Sequence, residues 1–371
     1  MAGQLTKLLI TPVDMDCNMA CKYCYNGSSW QPRTTPDRVI SIDTIYKIFD
    51  EIGPLLKSES LVVVWHGGEP MLAGKDFYRE MVAAQRRATN GRYKVSHCMQ
   101  TNGTLVDAEW VELFGQLYIG PSVSIDGPAH LHDAVRVFLD GAPTYDLSMR
   151  AYRALQERGI DPGLLVVISQ TNVKSPGAIW EWVLEQQFPH FDFLLCIEPE
   201  LWRESKQVFG LSSDEATEFS IRLFDLWFAH GDPDIRVRTF RDAIKSQIGG
   251  HVSVCSWKAG CAEHLSFDAS GNAFPCSRYH CYPETCMGNI HAMSLQDILH
   301  TPTAQWVVQG IQAGQARCDG CKWKKNCGSG CPFLKYALNG AWDSPYVHCR
   351  TRQALFEHIR ERIFQAVPVS A

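Results

Sequence analysis

Among the 371 residues there is no apolar run approaching the roughly 18 residues that a membrane-spanning helix requires, so a membrane anchor of that kind is excluded. There is no surplus of positive charge either. Lys and Arg number 35 against 40 Asp and Glu, a net −5, and without a basic field the chain is not expected to bind nucleic acid. No low-complexity tract and no internal repeat interrupts it, which excludes disordered linkers and solenoid arrays. The first residues, Met1 to Pro12, lack the apolar core and small-residue cleavage site of an export signal. They read as the first strand of a cytoplasmic protein. What the chain has in quantity is cysteine, 15 residues. A disulfide scaffold explains that number poorly in a chain without an export signal, and the spacings point to metal.

The first two-thirds alternate strand-like and helix-like segments. Strands are expected at Leu8–Thr11, Leu61–Trp65, Lys94–Met99, Tyr118–Ile125, Leu164–Ser169 and Phe191–Ile197, short runs rich in aliphatic and aromatic residues. Between them lie amphipathic patterns. Ile42, Ile45, Ile48, Phe49 and Ile52 share a face behind the N-cap candidate Ser41, and Trp110, Phe114 and Leu117 share one behind Asp107. Further helices are expected at Asp76–Ala88, Tyr145–Arg158, Pro176–Gln187 and Ser213–His230. Six βα units imply a parallel sheet covered by helices, and six are too few to close an eight-stranded barrel. The expected fold class is therefore α/β, a partial (β/α)6 barrel of TIM type, with its chemistry at the C-terminal strand ends. The cysteine-rich remainder suggests three segments: a barrel over 1–235, a cluster-binding domain over 250–350, and a C-terminal helix within 351–371.

Cys17, Cys21 and Cys24 form a C-x3-C-x2-C loop after the first strand. A cubane iron–sulfur cluster normally takes four thiolates. Three on one loop leave an iron open to chelate the amino and carboxylate groups of S-adenosylmethionine, whose reductive cleavage yields a carbon radical. Tyr23 is placed to pack near the adenine. The alternative is a zinc loop, although those more often use C-x2-C pairs. Gly67, Gly68 and Glu69, with Pro70, end the second strand. Glycines allow close backbone approach to a ligand, and by itself such a segment is also an ordinary strand-to-helix turn. Ser124 and Asp126 in Ser-Ile-Asp-Gly-Pro, with Arg136 beyond, are candidates for ribose or carboxylate contacts; loop capping and a surface ion pair are the alternatives.

The later cysteines run C-x9-G-x4-C from Cys261 to Cys276, then C-x2-C-x5-C-x3-C through Cys318, Cys321, Cys327 and Cys331, then Cys349, with Cys255 ahead of them all. Eight thiolates suit two fully ligated cubanes, and zinc ribbons are the alternative. Cys98 and Cys196 lie in strands and are expected as core thiols. Cys281 and Cys286 have no assigned role.

Together the C-x3-C-x2-C loop, Gly-Gly-Glu-Pro, Gln100-Thr-Asn-Gly-Thr104, Ser-Ile-Asp-Gly-Pro and the cysteine-rich tail resemble the radical S-adenosylmethionine enzymes with a SPASM domain, and within them the anaerobic sulfatase-maturating enzymes. The resemblance implies three 4Fe–4S clusters and S-adenosylmethionine. It assigns Cys17, Cys21 and Cys24 to the first cluster, Cys255, Cys261, Cys276 and Cys331 to the second, and Cys318, Cys321, Cys327 and Cys349 to the third. Tyr23, Gly68, Ser124, Arg136 and Ile197, the last through its backbone, match positions that contact the cofactor. The implied activity is oxidation of a Cys or Ser of a sulfatase to Cα-formylglycine, with a flavodoxin or ferredoxin as reducing partner. The chain departs from the pattern where an Asp base follows the Cys276 position, for here stands Ser277. Tyr279, His280 and Glu284 are the nearby substitutes for a base, which must reach the proton it removes. Two other readings follow: a maturase that crosslinks or epimerises a ribosomally made peptide, and a non-catalytic iron–sulfur electron carrier, against which the open-iron motif speaks.

Overall fold

The structure is a computed structural model that describes residues 5–25, 38–197, 208–258 and 260–366. Its strands in chain order are β1 (Lys7–Ile10), β2 (Ser60–Trp65), β3 (Lys94–Thr101), β4 (Ile119–Ser124), β5 (Gly163–Ile168), β6 (His190–Leu195), β7 (Arg236–Val237), β8 (His264–Phe267), β9 (Asn272–Phe274) and β10 (Gly288–Asn289). The helices are α1 (Ile42–Ile52), α2 (Lys75–Thr89), α3 (Ala108–Leu117), α4 (Ala129–His132), α5 (Tyr145–Glu157), α6 (Pro176–Glu185), α7 (Ser213–His230), α8 (Arg238–Gln247), α9 (Leu295–Ile298), α10 (Pro302–Ala316), α11 (Lys324–Cys327), α12 (Pro332–Asn339) and α13 (Cys349–Ala366). None among the described residues is long and apolar enough to cross a membrane.

Two discontinuous units make up the chain. The first comprises Met1–Ile125, Arg136–Gly163 and Cys261–Gln309; the second comprises Asp126–Val135, Leu164–Gly260 and Gly310–Ala371. In the first unit, β1 through β4 pair in parallel in sequence order. The alternation in β2, with Leu61, Val63 and Trp65 buried, gives that sheet a packed face. Helix α1 covers it with Ile45, Ile48, Phe49 and Ile52, and the Ser41 hydroxyl accepts from Thr44 N at its start. Asp107 likewise caps α3, accepting from Trp110 N at 2.9 Å. The sheet does not end at β1. Strand β8, from the far part of the chain, pairs in parallel with it, Lys7 opposite His264 and Ile10 opposite Phe267, and β9 and β10 continue antiparallel.

In the second unit, β5, β6 and β7 are parallel. Helix α7 begins with a capping box in which Ser212 and Glu215 satisfy each other's backbone amides. Asp192 on β6 pairs with Arg238 and accepts from Thr239 N, which fixes the start of α8.

Two local expectations change. Tyr118 does not open β4. It closes α3 in a left-handed conformation, with φ of 55°, and its side chain is exposed. Cys98 is no core thiol, since it is exposed and faces the side of β3 opposite the buried His97 and Met99. Cys196 is buried, as expected.

Candidate functional site

Within the first unit, the loop after β1 carries Cys17, Cys21 and Cys24, all half-buried and none in a disulfide. Burial pushes the Cys17 thiol well up, and the nearby Glu69, Cys21 and Cys24 add to it. Such a group ionises only against a compensating positive centre, as a metal cluster supplies. The loop is held by the segment that ends β2. Gly68 N donates to Asp14 O at 3.0 Å and Glu69 N to Asp16 O at 2.8 Å. A Cβ on Gly68 would stand 1.9 Å from Asp16 O, so only glycine permits this approach. Both amides of that turn therefore grip the cysteine loop, and its carbonyls are what remain for a ligand.

Glu69 also looks inward. Its carboxylate is 1% exposed. Oε1 accepts from Met71 N and Thr101 Oγ1, and Oε2 from Asn102 N at 2.8 Å. Burial lifts its pKa to about 7 against the pull of those donors. Expected among the cofactor contacts, this side chain instead ties the end of β2 to the end of β3. From there the clasp reaches the thiols. Asn102 Nδ2 donates to Asn18 Oδ1 at 2.9 Å and lies 3.8 Å from Cys17 Sγ, Asn18 Nδ2 donates to Thr104 Oγ1, and Met19 N donates to Cys17 Sγ at 3.4 Å. The Asn102–Thr104 segment thus orients the ligand-bearing loop through neutral donors, as outer hydrogen bonds do at metal sites.

The Arg136 guanidinium lies 5.6 Å from the Tyr23 ring centroid, with Nη1 at 4.0 Å from Cys21 Sγ. Ser124 Oγ accepts from Gln100 Nε2 at 2.8 Å. Cys17, Cys21, Cys24, Tyr23, Arg136, Ser124, Gly67 and Gly68 all belong to the first unit, whereas Ile197, half-buried after β6, belongs to the second. Asp126, also in the second unit, is buried and accepts from Val167 N at 2.9 Å, while its own N donates to His132 Nδ1. The structure thus gives its carboxylate a loop-fixing role.

The second unit holds a cavity of about 230 Å³. Cys318, Cys321, Cys327 and Cys349 line it, with Arg317, Lys324, Lys335 and Arg352 as cations and no carboxylate. Among the described residues no three His, Cys, Asp or Glu side chains converge on one point to hold a single ion. Four thiols spread around a cavity instead suit a cubane, in which each grips its own iron, and the cationic lining suits that group's negative charge. Arg317 and Lys324 have carboxylate partners, Asp343 and Asp319. Lys335 is buried and donates to Gly314 O at 3.1 Å. Burial pushes its ammonium down, and the thiols of Cys318, Cys327 and Cys349 hold it up.

Comparison with known proteins accords with this chemistry. Residues 15–179 match the Radical SAM superfamily, and residues 250–328 match an iron–sulfur cluster-binding domain, SPASM. The chain thus carries a radical SAM domain and a SPASM domain. It is 25% identical over 362 residues to a cysteine-type anaerobic sulfatase-maturating enzyme of Clostridium perfringens, covering 96% of each chain. It is 24% identical over 370 residues to a serine-type one of Bacteroides thetaiotaomicron, covering 95% of this chain and 89% of the other. A solved structure, native anSMEcpe with bound AdoMet and Cp18Cys peptide, superposes with a TM-score of 0.85 at 22% identity, covering 98% of this chain and 99% of that one. The protein is thus a radical SAM/SPASM oxidoreductase with a partial (β/α)6 barrel, and its cofactors are iron–sulfur clusters and S-adenosylmethionine.

In this radical SAM/SPASM enzyme the other auxiliary cysteines divide between the units. Cys261 and Cys276 fall in the first, and Cys255 and Cys331 in the second. Cys281 is exposed and Cys286 lies 3.7 Å from Gly288 O. Of the substitutes for a base, Ser277 and Tyr279 are buried, and Glu284 is exposed. His280 is bonded at both nitrogens, to Thr11 Oγ1 at 3.2 Å and Ser266 Oγ at 2.9 Å. Burial, helped by His66, lowers its pKa to about 3. A neutral ring so held joins β1 to β8 and is a weak proton acceptor. Sequence reasoning missed Arg352 and Gln353. Their signal was the placement of Gln353 four residues after Cys349 on one helix, where i and i+4 side chains meet.

Proposed function

We propose that this enzyme oxidises a Cys or Ser side chain of a sulfatase-type peptide or protein to Cα-formylglycine. It would act in the cytoplasm with a flavodoxin or ferredoxin as electron source. What supports this most is the pairing of an inwardly clasped three-thiol loop with a separate cation-lined four-thiol cavity, in a chain similar along its length to both cysteine- and serine-type maturases. The loop of Cys17, Cys21 and Cys24 would hold one 4Fe–4S cluster and the cavity of Cys318, Cys321, Cys327 and Cys349 another. Cys255, Cys261, Cys276 and Cys331 are proposed for a third. When bound, the first cluster and S-adenosylmethionine supply a 5′-deoxyadenosyl radical. Tyr23, Arg136 and Ser124, the Gly67–Gly68 carbonyls and the Ile197 backbone are proposed to hold the cofactor. The substrate carbon gives up a hydrogen atom, and its side chain a proton and an electron. For a cysteine the resulting thioaldehyde takes up water and releases hydrogen sulfide.

The experiment is incubation of reduced, reconstituted enzyme with S-adenosylmethionine and a peptide bearing Cys-x-Pro-x-Arg. The expected product is a lighter peptide that reacts with a hydrazine. Formation of 5′-deoxyadenosine without any change in the peptide overturns the maturase reading. One observation favours a second reading. Ser277 replaces the resemblance's Asp, and His280 beside it is held neutral, which suits a crosslinking maturase of a ribosomally made peptide. That enzyme would leave the test peptide unchanged and remove hydrogen from its own substrate without forming an aldehyde.

A further inference from the structure

We infer that Arg352 sets the reduction potential of the cluster proposed for Cys318, Cys321, Cys327 and Cys349, raising it so that this cluster takes the electron the substrate gives up. The inference rests on reading the cavity as a cluster site. Arg352 is 7% exposed. Its guanidinium is fixed on every side. Nη1 donates to Ser256 O at 2.8 Å and Cys327 O at 3.1 Å, and Nη2 donates to Ser256 Oγ at 2.8 Å. Its carbon sits 4.9 Å from the Trp257 ring centroid and 4.6 Å from that of Tyr346. Nη1 also donates to Cys327 Sγ at 3.5 Å.

A buried charge is costly unless something opposite faces it, and no carboxylate pairs with Arg352 among the described residues. The acidic groups turned toward it are the Tyr346 phenol and the thiols of Cys327 and Cys331. Gln353, on the next position of α13, adds Nε2–H donation to Cys349 Sγ at 3.5 Å and lies 3.9 Å from Cys321 Sγ. Cluster potentials follow net charge, hydrogen bonds to sulfur and solvent exposure. One-electron reduction makes the cluster and its four thiolates one unit more negative. Arg352 keeps its proton throughout, so the electron arrives with no proton and the fixed guanidinium stabilises the reduced form. The Coulomb interaction is strengthened because Arg352 itself is buried. Arg352 acts through the cluster rather than on substrate, and is a positioning and tuning residue.

The test is a potentiometric titration of the full-length reconstituted chain, followed by electron paramagnetic resonance. It is carried out with Cys17, Cys21 and Cys24 replaced by Ala so that the auxiliary signals stand alone. Arg352→Gln should lower the reduction equilibrium constant of one cluster about tenfold, roughly 59 mV for one electron. Arg352→Lys should recover most of the shift. Gln353→Glu, at an exposed side chain that folding tolerates, should lower the same signal and leave the other unmoved. An unchanged midpoint in Arg352→Gln at unchanged iron content overturns the inference, and where that variant does not fold an unchanged midpoint in Gln353→Glu does so. A separate outcome, in which Cys321→Ala loses no iron, overturns the cluster reading of the cavity and the inference with it. Neither depends on whether a sulfatase peptide is turned over.

Discussion

Around Cys17 the donors are neutral: a backbone amide at Met19 and the Asn102 side-chain amide, with the buried Glu69 carboxyl behind them. Around Cys327 and Cys349 the surroundings are a guanidinium, the Gln353 amide and a buried ammonium. Both regions are thiol-rich, the first on a loop after β1 and the second partly on the ends of α11 and α13, and their cysteine spacings give little hint of the contrast. An anion nearby disfavours adding an electron to a cluster, and cations favour it. The difference is one of degree: a single cation, Arg136, stands 4.0 Å from Cys21 Sγ in the first region, whereas four cations line the second, which under the proposed function would favour taking up an electron there.

The largest effect that tests this contrast comes from removing one ligand at each place. Cys24→Ala should abolish release of 5′-deoxyadenosine. Cys321→Ala should leave that release intact while iron falls by about four per chain, one cubane, and peptide oxidation is lost. Equal loss of 5′-deoxyadenosine in both variants would break the division of labour.

A smaller effect separates the two scaffolds. Gly68→Ala forces a methyl against Asp16 O. Gly330→Ala must hold φ near 82° with its Cβ 2.4 Å from the Tyr346 ring. Each should cost about 1–3 kcal/mol by overpacking, read as a lowered unfolding midpoint. Only the first should weaken cofactor cleavage, because it moves the cysteine loop. Only the second should shift the auxiliary signal, because Tyr346 is a wall of the Arg352 slot.

The smallest effect is one of pH. The Glu69 carboxyl titrates at about 7 in the fold against an ordinary 4.5. With the folded value raised, the native state keeps a proton that the unfolded chain has released. Stability should therefore fall as pH rises from about 4.5 to about 7 and level off above that. Denaturant midpoints across this range should show the slope, and Glu69→Gln should flatten it. The variant should also cost about 1–3 kcal/mol, since an amide nitrogen would meet donors that now find an acceptor. Arg352 does not titrate in this range, so no matching slope is expected from the second cavity. A slope retained in Glu69→Gln would assign it elsewhere.

Much of the fold was legible in local patterns. The Val-rich β2, the α1 face behind Ser41 and the Asp107 cap all declare themselves within a few residues. Helix α10 did not, because Gly310 and Gly314 count against a helix by propensity. In the fold they lie against Trp342, where larger residues would not fit. Strand β8 was hidden for another reason. It is four residues long and finds its partner 257 positions away, and no local period reports such a pairing. At the site, the cysteine spacings carried the chemistry, while the roles of individual neighbours did not follow from residue type. Glu69 looks like a ligand contact from residue type, and in the fold its carboxyl accepts from Met71, Thr101 and Asn102. His280 looks like a base, and in the fold both its nitrogens meet hydroxyls. Arg352 is one arginine among many until Trp257 and Tyr346 close over it.

The pairing of β1 with β8 also sets a timetable for biosynthesis. Lys7–Ile10 emerges well before His264–Phe267, for which one of its two edges waits. Until then the nascent chain carries an unpaired, apolar strand edge, the kind of surface that invites misassociation. Contacts so distant in sequence also slow folding. The same strand leads directly into Cys17. Its cysteine loop is therefore made long before the sheet beneath it is complete, and its three thiols are present in the nascent chain while that edge is still unpaired.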